Sequence, residues 1–275
     1  MIKNIALKSK KIVLFLFVCF GLFSCEDVIH ADLDTGEAKI VIDAEILWQK
    51  GTDGANQTIK ISRMTAYYNP ETPKVSGARV YVENSTGRQF SFLETAPGIY
   101  SCTDFVPVLN ETYTLHVEAD GQSYTATEKL IPVPQINRIE QTLSTAFGDD
   151  EYEVAIYYID PANEANYYLT RFDTPVLPYP EYDLSNDDLT NGNETKSDFS
   201  HEDLKPGDTV AITLSGLSRQ FYNYMNLILE ASSSNPFSTP PANIRGNILN
   251  QNNSNSPAIG YFRLCESDYR TYTFE

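Results

Sequence analysis

Histidine is the first side chain to consider for catalysis, because enzymes use it most often as a general acid or base. The sequence has three histidines, His30, His116 and His201. The chain contains neither a Gly-x-Ser-x-Gly nucleophile elbow nor a His-Glu-x-x-His zinc motif. A triad assembled from distant residues would leave no such local motif, so a hydrolase stays the least favoured of three hypotheses about the function. The sequence predicts a protein that is not an enzyme and that uses no cofactor.

Oxygen-bearing side chains after residue 186 could instead bind a metal ion. Asp187, Asn191 and Asp198 fall at positions one, five and twelve of a calcium-loop template. Position three is Leu189, which has no oxygen ligand to offer, and the flanking helices of such a site are missing from the pattern. We therefore predict no metal site, and these three residues remain a calcium candidate beside the favoured interpretation of solvated loop charge.

Cys25 has the clearest chemical fate in the sequence. Lysines near the start precede an apolar run at Ile12–Phe23, which is typical of an export signal and too short to span a bilayer. The run ends in Leu22-Phe23-Ser24-Cys25, which resembles the bacterial lipobox. We therefore predict a signal peptide at residues 1–24 and acylation of Cys25, for example with palmitate. A plain secretory signal is the alternative.

Residues 25–38 are predicted to form a tether between this lipid anchor and the folded chain, because they include few large apolar residues. Glu26 and Asp27 directly follow the cysteine. Such an acidic pair resembles the signal that sends Bacteroidota lipoproteins to the outer face of the outer membrane. We predict a lipid-anchored protein of the outer membrane, with the cell surface favoured over the periplasmic face.

Cys102 and Cys265 are the two cysteines that remain once Cys19 is removed with the signal and Cys25 is acylated. In an oxidising compartment they could form a disulfide, or they could stay two separate buried thiols. A bridge between them would close a very long loop and contribute about 5 kcal/mol in the loop-entropy description.

Tyrosine is abundant, with 18 residues in the chain, and most of these side chains are expected in the core or at interfaces. Tyr67, Tyr68, Tyr179 and Tyr182 are different because they lie in predicted loops. There they are candidates for exposed contacts with a sugar or another flat ligand.

Alternation of apolar and polar residues predicts a mainly β fold. About seven short strands are expected over residues 39–131, and Asp120-Gly121 is a strong hairpin signal between two of them. This spacing predicts a β-sandwich at 39–131. A proline-containing connector leads to a second β-rich domain at 136–275, in which residues 175–207 are predicted to form long loops.

One segment of the second domain has helical periodicity. Leu217, Phe221, Tyr224 and Ile228 recur at intervals of four, three and four residues. Ser218 is available as an N-cap. We predict an amphipathic helix at residues 218–231 that packs on the second sheet.

The order of several short segments is more specific than any one of them. These segments are SCEDVIHADLDTGEAKIVIDAEI, PKVSGARVYVENSTG, APGIYSC, YTLHVEADGQSYTATEKLIPVPQI, IDPANEANYYLTRF, NDDLTNG, LKPGDTVAITLSGLSRQFYNYM, NPFSTPPANIRGNI and GYF. Together they resemble the Bacteroidota lipoprotein family catalogued as domain of unknown function 4249. The SGARVYV to DGQSYTATE portion is also similar to transthyretin-like sandwiches, which implies a transthyretin- or immunoglobulin-like fold there. The family resemblance implies an envelope lipoprotein, often encoded beside a TonB-dependent transporter, and no established activity.

The acidic composition restricts the partners that the chain can bind. The formal net charge of −17 excludes nucleic acid, because phosphate binding needs a basic face. The first hypothesis is a non-catalytic lipoprotein that serves a TonB-dependent outer-membrane transporter as an accessory or by ligand capture. The second is a structural or adhesive surface lipoprotein without a transporter partner. The ligand and the oligomeric state are left unpredicted.

Overall fold

The structure is a computed structural model that describes residues 38–65, 69, 71–144, 151–232 and 244–275. Residues Ala38–Glu275 belong to one compact unit. The strands within the described ranges are β1 (Ile40–Gln49), β2 (Gln57–Arg63), β3 (Arg79–Asn84), β4 (Gln89–Ala96), β5 (Ile99–Cys102), β6 (Thr112–Ala119), β7 (Gln122–Ile131), β8 (Ile136–Ser144), β9 (Glu151–Ile159), β10 (Tyr167–Asp173), β11 (Glu181–Asn186), β12 (Glu194–His201), β13 (Thr209–Leu217), β14 (Leu249–Asn250) and β15 (Ile259–Thr273). The helix among them is α1 (Arg219–Ser232). The mainly β prediction is confirmed.

Period-two alternation produces these strands, as β1 illustrates. Its even-numbered residues from Ile40 to Ile46 are buried, whereas Asp43 is exposed. The predicted hairpin is also present, since β6 and β7 pair across Asp120 and Gly121. Both residues have positive φ, 53° and 72°, as a type I′ turn requires.

Eight strands form a sheet that closes on itself. The order β15-β1-β2-β5-β4-β3-β6-β7 is continuous, and β7 pairs again with β15 at Leu264 and Cys265. The long strand β15 makes closure possible, because one of its sides pairs with β1 while the other pairs first with β7 and then with β13. The β-sandwich predicted at residues 39–131 is therefore not clearly present. Strand β15 pairs with β1 and with β7, and this joins the strands of that region into one closed sheet.

Further strands extend from the closed sheet and pack a second core. Strands β13, β10 and β11 continue the sheet beyond β15, and β12-β9-β8 form a separate three-stranded sheet. The prediction of long loops over residues 175–207 was wrong for the two parts of this range that form β11 and β12.

Two large apolar clusters and a smaller third one beside α1 fill the described chain. The first takes buried side chains from all eight strands of the closed sheet, and the second lies among β8, β9, β10, β12 and β13. Phe262 and Leu264 of β15 belong to the first cluster, whereas Phe274 just after β15 belongs to the second. The first core is thus completed by residues from the end of the chain.

Buried carboxylates of β15 hold the connector between the two clusters. Glu266 accepts the backbone N–H of Val133 at 3.1 Å, and Asp268 accepts that of Ile136 at 2.7 Å. Glu266 also forms an ion pair with Lys50, and Asp268 forms one with Arg270. The predicted domain boundary at residues 131–136 lies on this connector.

Helix α1 follows β13 directly and confirms the predicted amphipathic segment. The Ser218 hydroxyl accepts the backbone N–H of Phe221 at 3.2 Å, which is an N-cap. Leu217 and Phe221 are buried against Leu169 and Tyr261. Within the described ranges, no helix combines the length and apolarity needed to cross a membrane.

Candidate functional site

A pocket of about 270 Å³ lies between α1 and the outer face of the closed sheet. Strands β1 and β15 supply its charged side, whereas α1, β11 and β15 supply aromatic rings. Charged groups and aromatic rings therefore share one concave surface, which is the candidate site.

Register places the charged groups together. On β1 the buried residues Ile42 and Ala44 point inward, so Asp43 and Glu45 point outward. Parallel pairing sets Tyr261 beside Asp43 and Arg263 beside Glu45. The alternation of two strands therefore delivers four functional side chains to one outer face.

Gly260 keeps the two strands close at the edge of this pocket. A Cβ at this position would lie 2.1 Å from the Ile42 carbonyl oxygen, and the Gly260 φ is +104°. A side chain would therefore collide with the β1 backbone. Glycine is required for β15 to run beside β1 at this point.

Three aromatic rings form a wall. The Tyr261 centroid lies 5.0 Å from that of Phe221 and 4.9 Å from that of Tyr224. Tyr224 and Phe221 are separated by 6.0 Å. These separations are within the range of favourable aromatic pairs, each of which adds about 0.5–1.5 kcal/mol beyond its buried area. The wall is consequently a fixed surface with ring faces and edges in defined directions.

Arg263 connects the charged side of the pocket to the aromatic wall. Its Nη2 donates to Glu45 Oε1, and its guanidinium carbon lies 4.6 Å from the Phe221 centroid. Only 15% of the Arg263 side chain is exposed. Its Nη1 is buried without a hydrogen-bond partner in the described structure. Arg263 and Glu45 thus neutralise each other within the wall.

Asp43 is the third charged residue that lines the pocket, beside Glu45 and Arg263. Burial by the surrounding wall raises the pKa of its carboxyl group, and the nearby Glu45 charge raises it further. Lys60 and Arg263 act in the opposite direction. The carboxylate is exposed to solvent on one side and lines the pocket on the other. It can therefore offer a negative charge to a bound group.

Glu128 connects this pocket with the start of α1. It accepts the Tyr261 hydroxyl at 3.3 Å and the Ser218 hydroxyl at 3.1 Å, and burial raises its pKa. A second pocket of about 440 Å³ lies on this side, where Glu128, Ser218 and Tyr167 contribute to the lining. The N-cap of α1 and the wall residue Tyr261 are therefore held by one carboxylate.

Comparison with known proteins identifies the family. Residues 26–271 match the family described as "Domain of unknown function (DUF4249)". The chain belongs to this family. Among curated proteins, none matches this DUF4249 chain.

Solved structures share limited similarity with the DUF4249 chain. A two fibronectin type-III domain segment from chicken tenascin is 11% identical, with a TM-score of 0.21, over 58% of this chain and 84% of that one. A DUF4785 family protein from Legionella pneumophila is 14% identical, with a TM-score of 0.26, over 67% of this chain and 54% of that one. Chicken CNTN1 FN1–FN3 domains are 13% identical, with a TM-score of 0.27, over 64% and 57%. At these values none of the three informs the function.

The calcium candidate residues of the DUF4249 chain have protein partners. Asp187 is buried and accepts the Asn191 side-chain amide at 3.0 Å. The Asn191 side-chain oxygen in turn accepts the backbone N–H of Asn163 at 3.0 Å. Asp198 lies on β12 and contacts Lys196 at 3.1 Å. The structure brings Asp187 and Asn191 together but assigns Asp198 to a different contact. The absence of a metal site stays a prediction, with calcium as its alternative.

The two remaining cysteines are free and buried. The proposed disulfide is therefore absent, and the alternative of two separate thiols describes the structure. Burial raises the pKa of both Cys102 and Cys265 to about 11. The Cys102 thiol donates to Asp104 at 3.2 Å. Neither thiol has the low pKa of a nucleophile.

The candidate tyrosines separate into three groups. Tyr179 is 80% exposed, so it is available for contacts. Tyr182 lies on β11 and lines the pocket beside α1, which differs from the predicted loop position. Tyr67 and Tyr68 lie outside the described residues, as does Cys25.

Neither His116 nor His201 lines this pocket, and His30 lies outside the described residues. His116 stacks on Tyr81 with a centroid separation of 4.5 Å, and His201 Nδ1 is 3.8 Å from Asp203. Sequence reasoning missed Asp43, Glu45 and Arg263 as site residues. The signal for the first two was their position on the polar face of β1, and Arg263 had no local signal.

Proposed function

We propose that this DUF4249 protein is a non-catalytic lipoprotein of the Bacteroidota cell envelope that serves a TonB-dependent outer-membrane transporter as an accessory or by ligand capture. The observation that carries the proposal is the Leu22-Phe23-Ser24-Cys25 ending of the apolar leader. This ending gives the chain a cysteine to acylate at the position where an exported protein begins.

The chemistry of the anchor favours permanent membrane attachment. Two or three acyl chains on Cys25 hold a protein on a bilayer, whereas one chain gives only reversible binding. Residues 26–38 then provide a short acidic tether before β1. The acidic tether and the net charge of −17 repel anionic membrane surfaces. These properties support an orientation in which the folded unit extends away from the lipid.

The pocket beside α1 supports ligand capture as the work of the folded unit. Small-molecule sites are concave, mostly apolar, and carry a few polar groups that fix orientation. Aromatic rings from α1, β11 and β15 and the carboxylate of Asp43 fit this description.

The anchor is tested by replacing its acceptor residue. Wild-type chain should incorporate radiolabelled palmitate and fractionate with the outer membrane, whereas Cys25→Ser should do neither. Cys19→Ser is the matched control, because Cys19 lies within the signal peptide and should leave labelling unchanged. Equal labelling of the wild type and Cys25→Ser would contradict acylation at Cys25.

The partner is tested by tagging the chain after Glu275 and extracting outer membranes in mild detergent. A TonB-dependent transporter recovered in near-equal amount is the expected result. Recovery of the lipoprotein without a transporter would reject the accessory role and favour the structural or adhesive alternative.

A further inference from the structure

We infer that the pocket beside α1 binds a small organic cation, whose charged nitrogen pairs with Asp43 and whose apolar part packs on Tyr224 and Tyr261. This inference deepens the ligand-capture part of the proposed function by naming the ligand class. It rests on the geometry of the pocket and not on the lipid anchor or the transporter.

The charge balance of the pocket selects a cation. Glu45 and Arg263 form an ion pair with each other, so their charges largely cancel. Asp43 has no ion pair with any residue that the structure describes, and it adds one negative charge. The Asp43 carboxylate would repel an anionic ligand, whereas it would form an ion pair with a cation. Electrostatic complementarity of this kind gives specificity.

The aromatic wall selects the same class of ligand. Cations are attracted to aromatic ring faces within about 6 Å of the centroid. The pocket already contains one such contact, because the Arg263 guanidinium lies 4.6 Å from the Phe221 centroid. Tyr224 and Asp43 line the same pocket, and Tyr261 is the register partner of Asp43 on β15. A cation at Asp43 would therefore lie beside a tyrosine ring.

The size of the pocket limits the ligand to a small molecule. Its volume of about 270 Å³ is slightly below the range of small-molecule pockets, which span about 300–1,000 Å³. One aromatic or aliphatic group with an ammonium head is therefore the expected occupant.

The test compares three probes that share a phenyl group and differ in charge. Full-length lipidated chain in non-ionic detergent is titrated calorimetrically with phenethylammonium, 2-phenylethanol and 3-phenylpropionate. Phenethylammonium should bind at least about tenfold more tightly than either other probe, as one charge-assisted contact would give. Equal binding of the charged and neutral probes, or no binding of phenethylammonium, overturns the inference.

Two variants locate the binding. Asp43→Asn keeps the shape of the side chain and should reduce phenethylammonium affinity about tenfold, to the level of the neutral probe. Tyr224→Leu should weaken both probes because they share the wall, and it should weaken phenethylammonium more because the cation also loses a ring face. Asp188→Asn is the matched control, since Asp188 is an exposed aspartate in the turn after β11. This variant should bind phenethylammonium with the same affinity as the wild type.

Unchanged affinity in Asp43→Asn overturns the inference even when phenethylammonium binds the wild type. Circular dichroism of each variant establishes that the fold is retained. The outcome is separate from the proposed function, because cation binding is measured without a transporter. A chain that binds phenethylammonium but recovers no transporter would keep the pocket and lose the accessory role.

Discussion

Arg263 is the residue on which the polar contacts of the candidate pocket depend. It binds Glu45 and stacks on Phe221 while remaining largely buried. The buried Arg263 guanidinium needs the Glu45 carboxylate as its counter-ion, because burying an unpaired charge has a high free-energy cost. Substitution of Glu45 should therefore lower the free energy of unfolding by a measurable amount.

Glu45→Gln should lower the free energy of unfolding by about 1–2 kcal/mol, because Arg263 would lose its anionic partner. Glu118→Gln is the matched control on another strand, where the Arg79–Glu118 pair is 65% and 51% exposed. That change should cost about 0.5 kcal/mol or less. Urea denaturation measures both variants, and equal losses would contradict a special role for the Arg263 pair.

The two buried thiols give a second prediction at this scale. Because burial raises the pKa of Cys102 and Cys265 to about 11, both are protonated at pH 8. Native protein at pH 8 should resist iodoacetamide, whereas denatured protein should gain two modifications per chain. Mass spectrometry without reductant decides the result, and a chain that gains none after denaturation would show that the thiols are bonded.

The sequence contains the direction of some pocket side chains but not the contacts that make them a site. The alternation on β1 is local, so the outward direction of Asp43 and Glu45 follows from their neighbours. Arg263 meets Glu45 only through parallel pairing between the first and last strands. No pattern near Arg263 encodes a partner that is so distant in sequence.

Helix α1 is the element whose start was predicted most directly from the sequence. Its period and its N-cap are both local, and the Ser218 hydroxyl does accept the Phe221 N–H. The same hydroxyl donates to Glu128. The cap therefore joins helix, strand and pocket wall.

Ser218→Ala should lower the free energy of unfolding by about 1 kcal/mol, because the first turn of α1 loses its cap. Ser218→Thr keeps a hydroxyl and should recover most of that loss. Ser232→Ala, at the other end of the helix, serves as the matched control with little expected change. Chemical denaturation followed by circular dichroism is the measurement, and similar stability of Ser218→Ala and Ser232→Ala would argue against the cap.

Strand β12 shows why other elements escaped prediction. Its inward residues include Thr195 and Ser197 as well as Phe199, so no run of apolar residues marks the buried face. Ser197 is accommodated because its hydroxyl donates to Asp183 of β11. A strand that buries polar side chains looks like a loop when only its own residues are considered.

At the scale of the whole molecule, β15 makes the two apolar clusters depend on one strand. Residues Phe262 and Leu264 serve the first cluster, and Phe274 directly after the strand serves the second. We expect the described unit to unfold in one cooperative transition, although the sequence suggested two domains.

The sole tryptophan makes this testable, because Trp48 packs against the first cluster. Phe199→Leu in the second cluster should lower Tm by about 2–4 °C, and Trp48 fluorescence and far-UV circular dichroism should shift together. Tyr179→Ala, at an 80% exposed position, is the control and should shift neither signal. A Trp48 transition that stays in place while the circular dichroism signal shifts would show two independently folding domains.

The closure of the sheet was beyond sequence reasoning. Individual strands and the hairpin at Asp120-Gly121 are local, whereas the pairs β1 with β15 and β7 with β15 join distant segments. Nothing in the spacing of strands up to residue 131 reveals that their ends are joined by the final strand.

The position of β15 far after β1 and β7 in the chain also sets an order of events during biosynthesis. Ribosomes make β1 and β7 long before their shared partner, and unpaired strand edges are templates for aggregation. Pairs of such large sequence separation also form slowly. A nascent or partly exported chain therefore presents two open edges until β15 arrives, and a chain truncated before β15 would keep them open permanently.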